Sequence, residues 1–326
     1  MNRGRENVKR ARGGVTGMEK TVGKRRRRAV KSKDRALLMM AMPAIIKIFI
    51  FSYLPMIGIV IAFKNYYPIK GIFASPWNGL KNFEFFFVSA DAWRILRNTI
   101  GLNLLMIVTG PVVHITAALL LYTITKPAAL KIYQSILFVP HFFSWVLVGL
   151  LLTTLLDYPN GLVTKLLASL GLDVNLYGTP AAWVGIIPMV SIWKSTGFKS
   201  LIYYAVLMNI SPDLFEAARI DGANEMQVVR HISLPHIVPM LIVQLILAVG
   251  GIIRGDFGLF YYVPRNLGVL YPVTEVIDTY VFKALTTNGD FGMSAAVGLF
   301  QSVVGCAMIL LTNKLASSVD SSLGLF

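Results

Sequence analysis

Of the 326 residues, 55% are hydrophobic and only 14% charged, where a water-soluble globule carries about 25% charge and 45–50% apolar residues. An ordinary soluble domain is all but excluded, and the lone cysteine, Cys306, excludes a disulfide framework or a cysteine-based metal site. The formal charge of +15 is uneven, because 14 of the 31 Lys/Arg but 3 of the 16 Asp/Glu fall within residues 1–35.

That first segment is a basic arm. It holds Arg25-Arg26-Arg27-Arg28 and almost no large apolar side chains, so it cannot bury enough surface to offset ordering and is expected to be disordered. Nucleic-acid binding is one reading of such a run. The arm leads directly into a hydrophobic stretch, however, and positive charge beside a first span holds that end in the cytoplasm against anionic headgroups. The topological reading is preferred, with membrane lipid and not nucleic acid as the partner. A cleaved signal peptide is disfavoured, since the apolar stretch is too long and no small-residue site closes it.

Six hydrophobic stretches follow, at roughly 37–63, 99–125, 132–156, 183–208, 236–255 and 294–316, each long enough to cross about 30 Å at 1.5 Å per residue. Pro43, Pro55, Pro111, Pro140, Pro188 and Pro239 fall in or near them. Neighbouring helices in a membrane bundle can re-satisfy the carbonyls that these prolines free. The expected fold is all-α, a polytopic helical membrane domain over 36–326 with six transmembrane helices and both termini cytoplasmic. One tension remains: residues 64–98, placed outside, hold Lys64, Lys70, Lys81, Arg94 and Arg97. That segment also carries Phe83, Phe85, Phe86, Phe87 and Trp93 and reads as an interfacial stretch or an outer cap.

Ionisable side chains within spans are costly and are functional candidates by default. Lys47, Lys194, Lys199 and Arg254 qualify as candidates for a path, while His114 reads as a partner for a carbonyl freed near Pro111. Arg254 and Asp256 are close enough in sequence to pair with each other, or with a partner subunit. Gly251 and Gly255 stand at the spacing that permits close helix packing, and Cys306 reads as a small apolar filler.

The most polar connection lies at Ser211–Pro235. Ser211 and Pro212 suit a helix start, and Asp213 with Glu216 complements its positive end. Leu214, Ala217 and Ala218 share one face, and Gly222 follows as a left-handed stop. Asn224 caps a second helix with Gln227 three residues on, and Met226, Val229 and Ile232 form its apolar side. Two such short helices are marginal alone. They must pack on the chain's own spans or dock into a partner's groove.

Here Glu216-Ala217-Ala218, Gly222 and Ile232-x-Leu234-Pro235 resemble the EAA motif of ABC importer permeases, in the loop before the penultimate span. Ser52-Tyr53-Leu54-Pro55, Ala62-Phe63-Lys64-Asn65, Trp93–Thr99, Val139–Trp145 and Trp193-Lys194-Ser195 are similar to the LplB-like branch of carbohydrate permeases. The resemblance covers residues 36–326 and implies a type I importer (MetI-like) permease fold in a bacterial cytoplasmic membrane. It implies a second, non-identical permease, two ATPase subunits that use ATP and Mg, and an extracytoplasmic solute-binding protein. It also implies that Glu216, Ala217, Ala218, Gly222, Ile232, Leu234 and Pro235 form a coupling element inserted into the ATPase.

No phosphate loop, His-Glu-x-x-His or Gly-x-Ser-x-Gly elbow occurs, so the chain is expected to be a transport subunit without catalytic residues, metal or cofactor of its own. The branch implies oligosaccharide substrates. The cations Lys47, Lys194, Lys199 and Arg254 favour acidic ones such as alginate fragments over neutral sugars, and Trp193 and Tyr203 could stack on sugar rings. A nucleotide-independent channel or secondary transporter would leave the EAA spacing unexplained.

Overall fold

A computed structural model describes residues 35, 37–84, 88, 90–319 and 324. Residues 1–34 of the basic arm, and Phe85, Phe86 and Phe87 of the aromatic segment, lie outside the described residues. The chain divides into two compact units, Met1–Val60 and Ile61–Phe326. Among the described residues the elements are helical, and β pairing is confined to an isolated Lys64–Trp77 bridge.

Helix α1 spans Leu37–Phe63. It widens into a π turn at Phe49–Tyr53, where the Leu54 N–H donates to the Phe49 carbonyl. The cause is Pro55, which lacks an N–H and whose ring collides with the carbonyl four residues back. In the second unit follow α2 (Ala90–Tyr122), α3 (Pro127–Phe138), α4 (Trp145–Leu156), α5 (Leu162–Ser169) and α6 (Trp183–Met208). Then come α7 (Pro212–Ile220), α8 (Glu225–Gly250), α9 (Phe257–Tyr262), α10 (Ile277–Asn288) and α11 (Phe291–Val319).

Among the described residues, four helices are long and apolar enough to cross a membrane by themselves: α1, α2, α8 and α11. The stretch expected as a single third span is instead a bent pair, Pro127–Phe142 and Trp145–Leu156, at 98°. Pro140 tightens the end of the first helix into a 3₁₀ turn, Phe143 is extended, and Ser144 restarts the helix by accepting the Leu147 N–H at 3.3 Å. The fourth stretch, α6, falls short of that apolarity because Ser191–Ser200 carries two lysines and four hydroxyls or small polar groups.

Register nevertheless gives the second unit five crossings, and α1, apolar and long enough to cross by itself, makes six among the described residues. Leu102 packs with Ile187, His114 meets Ser195, and Ala118 packs with Tyr203, so α2 and α6 run parallel. The chain between them must return across the bundle, and α3–α4 makes that return, with Leu137 against Gly197 and the His141 carbonyl at Lys194. Helix α8 is antiparallel to α2, from Ala118 beside Ile237 to Asn103 beside Ile252. Helix α11 runs back along α8, with Gln301 at Ile253 and Gly305 at Gly250. Two faces result: one carries α7, the end of α2 and the end of α11, and the other carries α5, α9 and α10.

The chain does not enter the fifth span where the sequence suggested. Helix α8 begins at Glu225, passes through a π turn at Val229–Ser233 and continues to Gly250. The Leu234-Pro235 step repeats the Leu54-Pro55 device, a π turn just before the proline, and the helix continues through Pro235. Gly251–Arg254 is turn and not helix, so the Gly251/Gly255 pair makes no helix interface. The close approach is one residue earlier, where a side chain on Gly250 would collide with Ile309 and one on Gly305 would lie 2.7 Å from the Gly250 carbonyl. Cys306 is exposed and fills no core.

Candidate functional site

The Ser211–Pro235 loop is rigid for local reasons. Asp221 ends α7, and Gly222 follows in the left-handed conformation at φ +78°. The Ala223 N–H donates to the Ala218 carbonyl at 2.9 Å and the Gly222 N–H to the Arg219 carbonyl at 3.1 Å. This is a complete Schellman stop. Asn224 then accepts the Gln227 N–H at 2.9 Å, while the Gln227 side chain accepts the Asn224 N–H at 2.7 Å. A helix stop and a capping box thus occupy consecutive residues, and little conformational freedom is left between α7 and α8.

Both packing alternatives for this loop are realised, on different faces. Phe215 and Val228 are buried against Ala118, Tyr203, Leu207 and Ile237, with Ala218 and Ile232 beside them and the Phe215 ring 5.6 Å from Tyr122. Leu214, Glu216, Ala217, Ile220 and Met226 are exposed, Ile220 to 86% and Met226 to 74%. The expected second-helix stripe is therefore corrected: Val228 faces the bundle, and Met226 faces outward. Of the motif positions, Glu216, Ala217, Gly222 and Pro235 are exposed and Ala218, Ile232 and Leu234 half-buried. An exposed notch of about 340 Å³ is lined by Ala218, Gly222, Gln227, His231 and Ile232 among others.

The second feature is a cavity of about 270 Å³ inside the bundle, lined from α2, α6, α8 and the turn after α8. It gathers three of the path candidates, Lys199, Tyr203 and Arg254, with His114, Asn103, Gln244 and Asp256. His114 is buried and its Nε2 lies 3.2 Å from Ser195 Oγ. Gln244 Nε2 is buried and has no hydrogen-bond partner among the described residues. Arg254 does not pair with Asp256; its guanidinium donates to Ser302 at 3.0 Å, and Asp256 caps α9 by accepting the Leu259 N–H.

The remaining candidates lie elsewhere. Lys194 donates to the His141 carbonyl at 3.1 Å and sits 4.8 Å from the centre of the Trp145 ring. Trp145 Nε1 in turn donates to Asp256 at 2.9 Å, which ties Lys194 indirectly to the cavity rim. Trp193 faces away, into an apolar furrow with Leu151, Leu155 and Met189. Lys47 is an exposed residue of the first unit. Asn103 and Gln244 carry no charge, so the cost of an ionisable group within a span does not single them out. Gln244, the one amide in an otherwise apolar run from Ile237 to Val249, was the available signal.

Outside the spans, Asp278 holds the turn that presents Arg254. Its carboxylate accepts the Gly255 N–H at 2.5 Å and Gln301 Nε2 at 3.2 Å, and burial pushes its carboxyl above the ordinary value. The basic residues that strained the topology are largely engaged. Lys64 donates to the Ile72 and Phe73 carbonyls, Arg97 to the Pro272 carbonyl, and Arg94 pairs with Glu275 at 2.6 Å and Asp91 at 2.9 Å.

Comparison with known proteins fits this architecture. Residues 115–321 match the family described as binding-protein-dependent transport system inner membrane component. Protein LplB of Bacillus subtilis is 36% identical over 91% of this chain and 93% of its own length. The polygalacturonan/rhamnogalacturonan transport system permease protein YteP of the same organism is 35% identical over 90% and 91%. Among solved structures, a bacterial alginate ABC transporter in complex with alginate pentasaccharide-bound periplasmic protein superposes with a TM-score of 0.79. That likeness holds at 32% identity, over 88% of this chain and 96% of the other. A helical, multi-pass chain with a rigid loop between its fourth and fifth crossings, matched along nine-tenths of its length, belongs to the binding-protein-dependent inner membrane components and is a non-enzymatic permease subunit of a sugar ABC importer.

Proposed function

We propose that this chain forms part of the import path for acidic oligosaccharides of the uronate class, such as alginate fragments, and that its Ser211–Pro235 loop couples that path to a separate ATPase. The observation that carries the substrate reading is the cavity within the bundle, where Lys199 and Arg254 stand among amide, phenol and imidazole donors. Cations in a low-dielectric site attract carboxylates strongly, and amides and hydroxyls can bind sugar hydroxyls. The names of the relatives, one for polygalacturonan/rhamnogalacturonan and one for alginate, support the same class.

The proposed assembly contains a second, non-identical permease, two ATPase subunits that use ATP and Mg, and an extracytoplasmic solute-binding protein that delivers the sugar. Glu216, Ala217, Ala218, Gly222, Ile232, Leu234 and Pro235 serve the coupling. The exposed face with Leu214, Glu216 and Ala217 docks on the ATPase, and the opposite face, with Phe215 and Val228, grips the bundle. Because α8 runs unbroken from the loop into the fifth crossing, displacement of the loop moves that helix as a lever. Such coupling requires ATPase contacts that differ between two states. Engagement of Lys64, Arg94 and Arg97 by their own unit removes much of the free charge that opposed cytoplasmic termini.

Transport by the reconstituted complex in proteoliposomes tests the reading. Uptake of uronate oligomers that requires ATP is the expected outcome. Uptake of neutral maltodextrin-like sugar with no response to uronate oligomers would overturn the substrate class, and uptake without ATP would overturn the coupling.

A further inference from the structure

The linker between α4 and α6 holds a helix with three distinct faces. Val163, Thr164 and Leu167 turn toward the protein, with Thr164 buried. Leu162, Leu166 and Leu170, spaced by four, form an apolar stripe exposed to 70%, 61% and 70%. Lys165 and Ser169 occupy a third, polar and exposed arc. At 100° per residue these arcs follow one another around the helix.

Position and rigidity are both fixed by hydrogen bonds. Thr164 Oγ1 donates to the Asp157 carbonyl at 2.7 Å, and the Gly161 N–H donates to the same carbonyl at 2.7 Å. That carbonyl immediately follows the last residue of α4, so α5 is folded back onto the end of a crossing. Gly171, left-handed at φ +82°, stops the helix, and the Leu172 N–H closes onto the Leu167 carbonyl at 2.9 Å. The linker's other end is pinned where Trp183 Nε1, at the start of α6, donates to the Leu176 carbonyl at 2.9 Å. The segment is therefore held beside the end of α4 and the start of α6.

We propose that α5 is an interfacial helix, lying in the headgroup boundary on the face opposite the Ser211–Pro235 loop and committing Leu162, Leu166 and Leu170 to lipid acyl chains. Three aligned leucines on a pinned helix are costly in water. A helix with one apolar and one basic-polar face is suited to that boundary, and its length does not decide the matter. Lys165, on the polar arc, reaches the phosphate layer while its stem stays against apolar surface. Tyr158, close to α5 in sequence and 44% exposed, adds an aromatic side chain of the kind enriched at a membrane–water boundary.

Site-directed spin labelling tests this in the full chain reconstituted in phospholipid vesicles. Cys306, which is exposed, is first replaced by Ser, and single labels are placed at Leu162→Cys, Leu166→Cys, Leu170→Cys, Lys165→Cys and Ser169→Cys. Expected are collision rates that favour oxygen over a water-soluble nickel chelate at the three leucine positions, with the order reversed at positions 165 and 169. Preferential access of the nickel chelate at 162, 166 and 170, as for a surface reserved for a soluble partner, overturns the proposal. So does equal access around the helix.

Discussion

Glu275 holds two cations. It is 3% exposed, accepts Arg94 at 2.6 Å and also pairs with Lys283, while Asn98 donates to its carbonyl. Glu275→Gln leaves Lys283 without the counter-charge it has here and Arg94 with Asp91 alone. The expected loss is about 2–3 kcal/mol, less than for a fully buried pair because both cations keep some water, and thermal unfolding in detergent measures it. Asp278 differs because burial raises its folded-state pKa above the ordinary 3.8. Its contribution to stability is complete below the unfolded value and is lost as pH rises through the folded one. Stability should therefore increase as pH falls through the folded value toward the unfolded one, and Asp278→Asn, which can still accept the Gly255 N–H, should remove that component. An unchanged pH slope in the variant would place the titration elsewhere. Gly222 is a purely conformational case: no atom lies within 4 Å of the Cβ position, so only its positive φ is at stake. Gly222→Val should cost about 1–2 kcal/mol through left-handed strain, with Gly222→Asn much milder, and coupling should fall in the same order. Normal substrate-stimulated ATP hydrolysis by an assembled Gly222→Val complex would count against the lever.

Within the loop, sequence legibility divides at the level of the element. Its punctuation was local and therefore readable: Pro212 at a helix start, Gly222 as the stop, and the Asn224/Gln227 box all act through backbone groups a few residues away. Which apolar residues face inward was not readable, because the stripe admits two faces and tertiary packing chooses between them. Phe215 and Val228 are buried by Ala118 and Tyr122, distant in sequence, together with Tyr203 and Ile237. The same limit hid the bend at Pro140–Ser144, since a proline can either end a helix or be absorbed by a wider turn. The two faces separate by mutation. Phe215→Ala should destabilise the bundle by about 3–5 kcal/mol, as for a buried aromatic. Glu216→Lys should leave the fold intact and weaken ATPase association by reversing charge on the exposed face of α7. Thermal unfolding and co-purification of the ATPase distinguish them, and a Glu216→Lys chain that unfolds but still binds would reverse the assignment.

Across the whole molecule, α2, α6, α8 and the turn after α8 converge on one cavity, and its composition depends on register more than on local sequence. Lys194 and Lys199 are neighbours on α6, yet only Lys199 lines the cavity; Lys194 is spent on the His141 carbonyl and the Trp145 ring. Arg254 reaches it only because Asp278 and Gln301, from α10 and α11, fix the turn that carries it. Helix period sets these lysines about 140° apart, which places one toward a cavity and the other toward an interface; which is which depends on the helices that stand beside α6. Transport discriminates in the same way. Lys199→Gln and Arg254→Gln should each lower uptake of uronate oligomers about tenfold, equivalent to about 1.4 kcal/mol, with little change for a neutral oligosaccharide carried by the same complex. Lys194→Gln should reduce both alike, since it loosens the joint between α3, α4 and α6 without removing a charge from the path. Equal losses for charged and neutral sugars in the Lys199 and Arg254 variants would mean that these cations support the bundle and do not select the cargo.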